Sequence, residues 1–306
     1  MVPEHLTEWL GLPVQDFHKI GGEPDFGGTI YRFRYDWDNE ESIPEEMLDG
    51  FLADPRCEAA RGIIIGLPGD SADTTGELGD KVVAAKGRLP NLRGLFVGEM
   101  DQEESEISWI EQGDSTAILD AFPALEDLRV RGVRQRLQPV RHSRLKKLIY
   151  ESGGLPSEIL RSLAHSDLPE LEHLELWLGV DEYGWDGAIA DVRPLLLNNP
   201  FPKLKYLGLR NSEIADEIAM VAAGAPVLDQ LETLDLSLGT MRDEGGSALL
   251  ASGRIRQLKR LDLHHHYMSE DLVRQWGQTG VNVDVSDRCD PDVYNGEVYY
   301  YTSVGE

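Results

Sequence analysis

Leucine recurs along this chain in one frame. Leu-x-x-Leu-x-Leu, or a close apolar variant, appears as LRGLFV at 92, LEDLRV at 125, LKKLIY at 145, LEHLEL at 171, LKYLGL at 204, LETLDL at 231 and LKRLDL at 258. The first leucines of these seven copies lie 33, 20, 26, 33, 27 and 27 residues apart. Two weaker copies flank them, ARGIII at 60 and GVNVDV at 280. The last two apolar residues of each frame are two positions apart, so they point to the same side of a strand. Their neighbours point to the other side. The spacing therefore predicts nine strands stacked in parallel, one side packed inward and the other facing solvent and any ligand. Parallel neighbours need crossover connections, and self-similarity at this period is the signature of a solenoid.

The gaps supply the crossovers, and several read as helices. SEIADEIAMVAAGA starts with Ser212 as a candidate cap; SEDLVRQWGQTG starts with Ser269 and stops at Gly277 or Gly280. PSEILRSLAHS and DSTAILDAF are similar. The short interval from Leu125 to Leu145 is broken by RGVRQRLQPVRHSR, which predicts an irregular convex side there. The ends read as caps, which a stack of repeats needs. LPVQDFHKI and TIYRFRYDW are expected as two strands of a hairpin-like cover, with Tyr31, Phe33 and Tyr35 alternating with Arg32 and Arg34. PEEMLDGFLADP is the first helix, stopped before Pro55. GEVYYYTSVGE is a β-rich tail expected to close the last repeat. The organisation is an N-terminal β/α cap over 1–59, a solenoid over 60–288 and a capping tail over 289–306, as one continuous domain.

Composition narrows the partners. The 306 residues carry a formal charge of -26, from 55 acidic and 29 basic side chains. Nucleic acid is excluded as a main partner, because phosphate binding needs a basic face. A basic protein is the better match, unless the charge serves only solubility. Two distant cysteines, Cys57 and Cys289, make no disulfide framework and fit a reducing compartment. MVPEHLTEWLGLPV lacks the basic start and apolar stretch of a signal peptide, and no apolar run is long enough to span a membrane. The expectation is a soluble, cytoplasmic protein without a membrane partner.

The seven leucine frames resemble the leucine-rich-repeat superfamily, and intervals near 27 resemble its ribonuclease-inhibitor-like branch. The resemblance covers roughly residues 60–288. It implies an α/β horseshoe with the parallel sheet on the concave face and mostly helices on the convex face. The family usually places Asn or Cys three residues after the last leucine. Here those positions hold Met100, Val133, Gly153, Gly179, Ser212, Gly239 and His266, so the buried asparagine ladder is absent. The N-terminal block, with FLADPRCEAARGIIIG, and the tail resemble an uncharacterised family of bacterial leucine-rich-repeat proteins. That resemblance implies a scaffold or recruitment role.

Candidate chemistry is sparse. His264, His265 and His266 are consecutive, so alternation along a strand keeps all three from converging on one ion; His264 is expected to face the concave side and His265 to point away, with His266 in the position after it. A zinc site needs three or four ligands, and the helpers would be Asp262 with Asp235, Asp284 or His173. No Gly-x-Ser-x-Gly or phosphate-binding loop is present, neither cysteine has a histidine nearby in sequence, and no cofactor is implied. GLPGDSADTTGELGD (66–80) reads as an exposed loop, and EMDQEESE (99–106) as a solvated one.

The concave face carries the rest. The expected binding residues are Arg129, Arg131, Glu151, Glu175, Trp177, Tyr206, Arg210, Asp235, Asp262, His264 and Asp284. An exposed Trp177 amid arginines is the composition of a protein-binding hot spot; the alternative is a local cation–π contact with Arg210 or Arg131. The row Asp235, Asp262 and Asp284 either awaits a cation or basic partner or is bridged by Arg260 or Lys259. Ile64 and Phe96 would lie under the N-terminal cap. The expected function is a non-catalytic protein- or peptide-binding module, acting as scaffold, recruiter, inhibitor or immunity factor. The alternatives are a metal-dependent enzyme or metal-binding protein centred on His264, and a purely structural solenoid.

Overall fold

The computed structural model describes residues 5–39, 42–69, 71–72 and 74–305. Twelve strands form one sheet in chain order. They are β1 (Glu8–Trp9), β2 (Leu12–Asp16), β3 (Ile30–Phe33), β4 (Gly62–Ile65), β5 (Gly94–Val97), β6 (Asp127–Arg131), β7 (Lys147–Glu151), β8 (His173–Gly179), β9 (Tyr206–Ser212), β10 (Thr233–Asp235), β11 (Arg260–Asp262) and β12 (Val283–Asp284). From β2 onward every pairing is parallel. All nine strands that the leucine frame predicts are present, as β4 to β12.

The frame sets the register. Leu128, Leu148, Leu174, Leu207, Leu234 and Leu261 stand side by side on successive strands, all fully buried. A one-residue slip would turn this row to the solvent side. Burial of each such leucine stabilises the fold by about 1.5–3 kcal/mol. Across the leucine side pack α1 (Pro44–Ala53), α2 (Thr75–Ala84), α3 (Ser115–Ala121), α4 (Ser157–Ala164), α5 (Ile189–Leu197), α6 (Ala215–Ala222), α7 (Asp243–Ala251) and α8 (Glu270–Trp276). One continuous apolar core runs between the two layers. The chain is thus an α/β solenoid with its sheet on the concave face and helices on the convex face. Among the described residues no helix is long and apolar enough to cross a membrane.

Several local expectations hold. Ser269 caps α8 by accepting from Leu272 N–H at 3.3 Å, and Asp114 caps α3 in the same way. No helix lies between β6 and β7; short bridges at Val133, Arg136 and Arg141 link that stretch to its neighbours.

Other expectations are corrected. Ser212 does not cap α6: it ends β9, and the helix starts two residues after Glu213. The segment 66–80 is not all loop, because α2 begins at Thr75; Asp70 and Asp73 lie outside the described residues. The two N-terminal segments are not a hairpin. They form β2 and β3, which pair in parallel and extend the sheet, so the boundary expected at residue 60 falls inside it. The hairpin is β1–β2, turned at Leu10 and Gly11 with φ of +51° and +72°. It folds Trp9 onto Ile30, Ile64 and Phe96, which do lie under this cap. Gly94 makes room for it, since a Cβ there would meet the Trp9 ring at 2.8 Å.

The run 99–106 is not simply solvated. Glu99 is buried against Arg32 and His5, and Glu104 pairs with Arg34 at 2.5 Å. The C-terminal tail does form a hairpin, β13 (Asp292–Tyr294) with β14 (Glu297–Tyr299), but separate from the sheet. The residues after it do not close the last repeat. They turn back across earlier ones.

Candidate binding face

Three rows of side chains stand on the concave side of β6 to β12, set by the same parallel register as the leucines. The first row is Asp127, Lys147, His173, Tyr206, Thr233 and Arg260. The second is Arg129, Ile149, Glu175, Gly208, Asp235, Asp262 and Asp284. The third holds Arg131, Glu151, Trp177, Arg210, Ser237 and His264. The concave position of every expected residue is therefore as the strand period requires.

Their exposure is not. Arg131, Glu151, Glu175, Trp177, Asp235 and Asp262 are buried. Trp177 is only 2% exposed and packs with Ile107, Leu238 and Val304. It is therefore not an open hot spot. Its ring lies 5.0 Å from the Arg210 guanidinium, and its Nε1–H donates to Glu175 at 2.8 Å. The local cation–π contact is the arrangement present.

Glu175 is the hub. It accepts from Trp177, from Arg210 at 2.7 Å, and faces His173 at 3.3 Å. Burial alone would raise its pKa; bonds from His173, Arg210 and Trp177 outweigh that and hold it down at about 2. Burial also lowers the pKa of His173, which keeps that ring neutral near pH 7. His173 stacks on Tyr206 with centroids 3.9 Å apart and planes 3° from parallel. Gly208 permits this: a Cβ there would meet the Tyr206 ring at 3.1 Å and Glu175 at 3.2 Å. The Tyr206 hydroxyl thereby reaches over β9 and donates to Asp235 at 2.7 Å.

The aspartate row is neutralised from within. Asp235 meets Arg210 at 3.3 Å and accepts from Ser237. Arg260 bridges Asp262 at 2.7 Å and Asp284 at 3.3 Å. Lys259 takes no part, since it pairs with Glu232. His264 Nδ1 lies 2.7 Å from Asp262, which raises the histidine's pKa; Asp262 is held at about 2 despite its burial.

The three histidines diverge. His265 turns away in a left-handed conformation, φ +58°. His266 is buried, with Nε2 on the Val285 carbonyl at 3.0 Å and Nδ1 accepting from Met268 N–H at 3.1 Å. It satisfies loop backbone at a position where the family usually has asparagine. The fold also brings Cys289 Sγ within 3.4 Å of His265, a pairing that sequence distance concealed. Burial and the Asp287 charge raise the thiol's pKa, the opposite of nucleophile activation.

A crystal structure of a Bacteroides fragilis protein is similar with a TM-score of 0.77 and 33% identity, over 89% of this chain and 76% of that one. The chain belongs to that protein's family, and its own leucine frames on a parallel sheet make it a leucine-rich-repeat solenoid. An internalin from Listeria monocytogenes, at 12% identity, has a TM-score of 0.34 over 86% of this chain and 73% of its own. The mouse RP105/MD-1 complex, at 15% identity, has 0.41 over 90% and 43%. Both scores are too low to compare sites. No protein-family model and no curated protein matches the chain.

The leucine-rich-repeat face holds two residues that the sequence reading passed over as binding residues, Lys147 and His173. Lys147 is half-buried and makes no ion pair within 4 Å among the described residues; burial and nearby Arg129 lower its pKa. The signal was the second x of each frame, a column that alternation places on the same face. Two further groupings bear on metal. Ligand atoms of Asp262, His264 and Asp284 lie within 4.8 Å of one another, as do those of His5, Asp101 and Glu104. In the first group Arg260 already holds both carboxylates.

Proposed function

We propose that this leucine-rich-repeat protein is a non-catalytic binding module that holds a segment of another protein on the concave face. The observation that supports it most is the half-buried His173–Tyr206 stack beside Lys147, which has no ion pair among the described residues. Stiff aromatic rings next to an unneutralised cation suit a protein anchor. The remaining charges argue against catalysis. Asp127, Glu151, Glu175, Asp235, Asp262 and Asp284 are each bonded to Arg, His, Trp, Tyr or Ser partners, which leaves none of these carboxylates free as a general base. The anchor moves from Trp177 and Arg131 to Lys147, His173 and Tyr206, with Arg129, Arg210 and His264 at its margin. A partner segment bearing a carboxylate near Lys147 fits better than a uniformly basic one. Scaffold, recruiter and inhibitor roles all use such a face.

The test is affinity capture from host lysate followed by titration of the purified partner. Lys147→Glu with Tyr206→Ala should weaken binding at least about tenfold, with circular dichroism showing an intact fold. Equal binding by both proteins would remove the function from this face. The metal reading rests on the Asp262–His264–Asp284 grouping alone. Stoichiometric zinc in untagged protein, lost in His264→Ala, would support it over the binding module.

A further inference from the structure

The tail beyond β14 is bound by the solenoid as a peptide would be. Tyr301 is held beyond β11, its N–H donating to the Tyr267 hydroxyl and its carbonyl accepting from it, both at 2.9 Å. Ser303 N–H donates to the Leu238 carbonyl beyond β10 at 2.9 Å. The Asn211 side chain, at the end of β9, grips both backbone groups of Val304. Its Oδ1 accepts from Val304 N–H at 2.9 Å and its Nδ2 donates to Val304 O at 2.5 Å. Ser108 Oγ then donates to Gly305 O at 2.7 Å. The segment thus crosses the exits of β11, β10 and β9 in turn. That path matches an extended chain, about 3.4 Å per residue, laid over strands about 4.8 Å apart.

The receptor is built for this occupant. Val304, 4% exposed, enters an apolar pocket of Trp177, Leu238 and Ile107. Asn211 is fully buried, so its amide needs these two backbone partners to be satisfied. Leu238 sits at φ +66°, a conformation unfavourable for a leucine, and places its side chain in this pocket. The carrier of the tail, by contrast, is loosely attached. In the hairpin Val293 and Tyr294 are 69% and 70% exposed. Segments with few buried contacts open before the rest of a fold.

We infer that the Trp177–Asn211–Leu238 pocket is a peptide-binding site, and that residues 301–305 are an intramolecular stand-in for its ligand. The ligand is an extended segment of a partner protein with a valine-sized side chain in the pocket and its backbone amide paired to Asn211. Binding displaces the tail. This rests on the reading of the protein as a binding module and adds a second contact point, at the strand exits, the opposite end of β9 from Tyr206.

The test uses a fluorescein-labelled pentapeptide, Tyr-Thr-Ser-Val-Gly, read by anisotropy. In the wild type the tethered tail competes at millimolar-scale effective concentration. Val304→Asp, which ejects it, should bind the peptide at least about tenfold more tightly than wild type. Deletion of residues 300–306 should do the same without introducing a charge. Asn211 has a left-handed φ of +53°, so adding Asn211→Gly keeps the turn but removes the amide, and should undo most of the gain. No binding by either tail variant, with near-ultraviolet circular dichroism intact, would overturn the inference. A wild-type dimer by light scattering that Val304→Asp abolishes would assign the pocket to a second copy's tail and overturn the partner assignment. If the peptide fails to bind while Lys147→Glu still weakens the captured partner, the pocket falls and the face stands. The reverse pattern would retain the pocket and reject the face.

Discussion

Glu175 shows how one residue can hold the face together. Its carboxylate is buried yet held near pKa 2 by His173, Arg210 and Trp177. A carboxylate with a depressed folded pKa stabilises above its unfolded value and loses that contribution as pH falls toward the folded one. The window is therefore about pH 4.5 down to 2, and the contribution at neutral pH is about 3 kcal/mol. Glu175→Gln should lower stability by about that amount at pH 7 in urea melts, with the gap to wild type closing below about pH 4. A gap independent of pH would show that packing, not charge, is what Glu175 supplies. At this scale the sequence told which side of the strand each residue faces, because a period of two is local. It did not tell how buried Trp177 is, because Val304, which covers it, lies far along the chain.

Among the elements, the β1–β2 hairpin is the one whose stability should respond most to alkaline pH. His5 is pulled down by burial, but Glu104 and Glu99 bind it and raise its pKa to about 9. A raised histidine stabilises fully below about 6.5 and loses that contribution as pH rises toward 9. Glu99 is also held by Arg32, and Glu104 by Arg34, so the carboxylates keep partners when His5 discharges. The loss should then be confined to the hairpin and be on the order of 2 kcal/mol or less after solvent screening. Tryptophan emission should report Trp9 loosening from Phe96 between pH 7 and 9, and His5→Gln should flatten that response. Trp9→Ala should cost about 3–5 kcal/mol if the hairpin stays docked; a smaller loss in thermal melts would mean that it detaches as a unit. The leucine frame made β4 to β12 legible. It missed the joining of β2 and β3 to the sheet because β3 carries Tyr31 and Phe33 where leucines would stand, and a buried Arg32–Asp16 pair links the two strands, which local pattern reads as an edge.

Over the whole molecule, the charge is distributed unevenly. The net charge is -26, yet the three concave rows from β6 to β12 set Asp127, Glu151, Glu175, Asp235, Asp262 and Asp284 against Arg129, Arg131, Lys147, Arg210 and Arg260. Nearly all of the excess negative charge therefore lies outside these rows, where it repels itself through solvent. Salt screens such repulsion over about 10 Å at 0.1 M and about 3 Å at 1 M. The paired charges of the face are short-range and largely buried, so salt affects them less. Two consequences follow from one distribution. The melting temperature should rise by a few degrees between about 0.02 and 0.5 M sodium chloride, because self-repulsion weakens. Affinity for a partner held on the face should fall only modestly over the same range, because few unpaired charges meet there. A partner whose binding collapses with salt would instead be recognised by the acidic periphery, even if the protein itself is stabilised as expected.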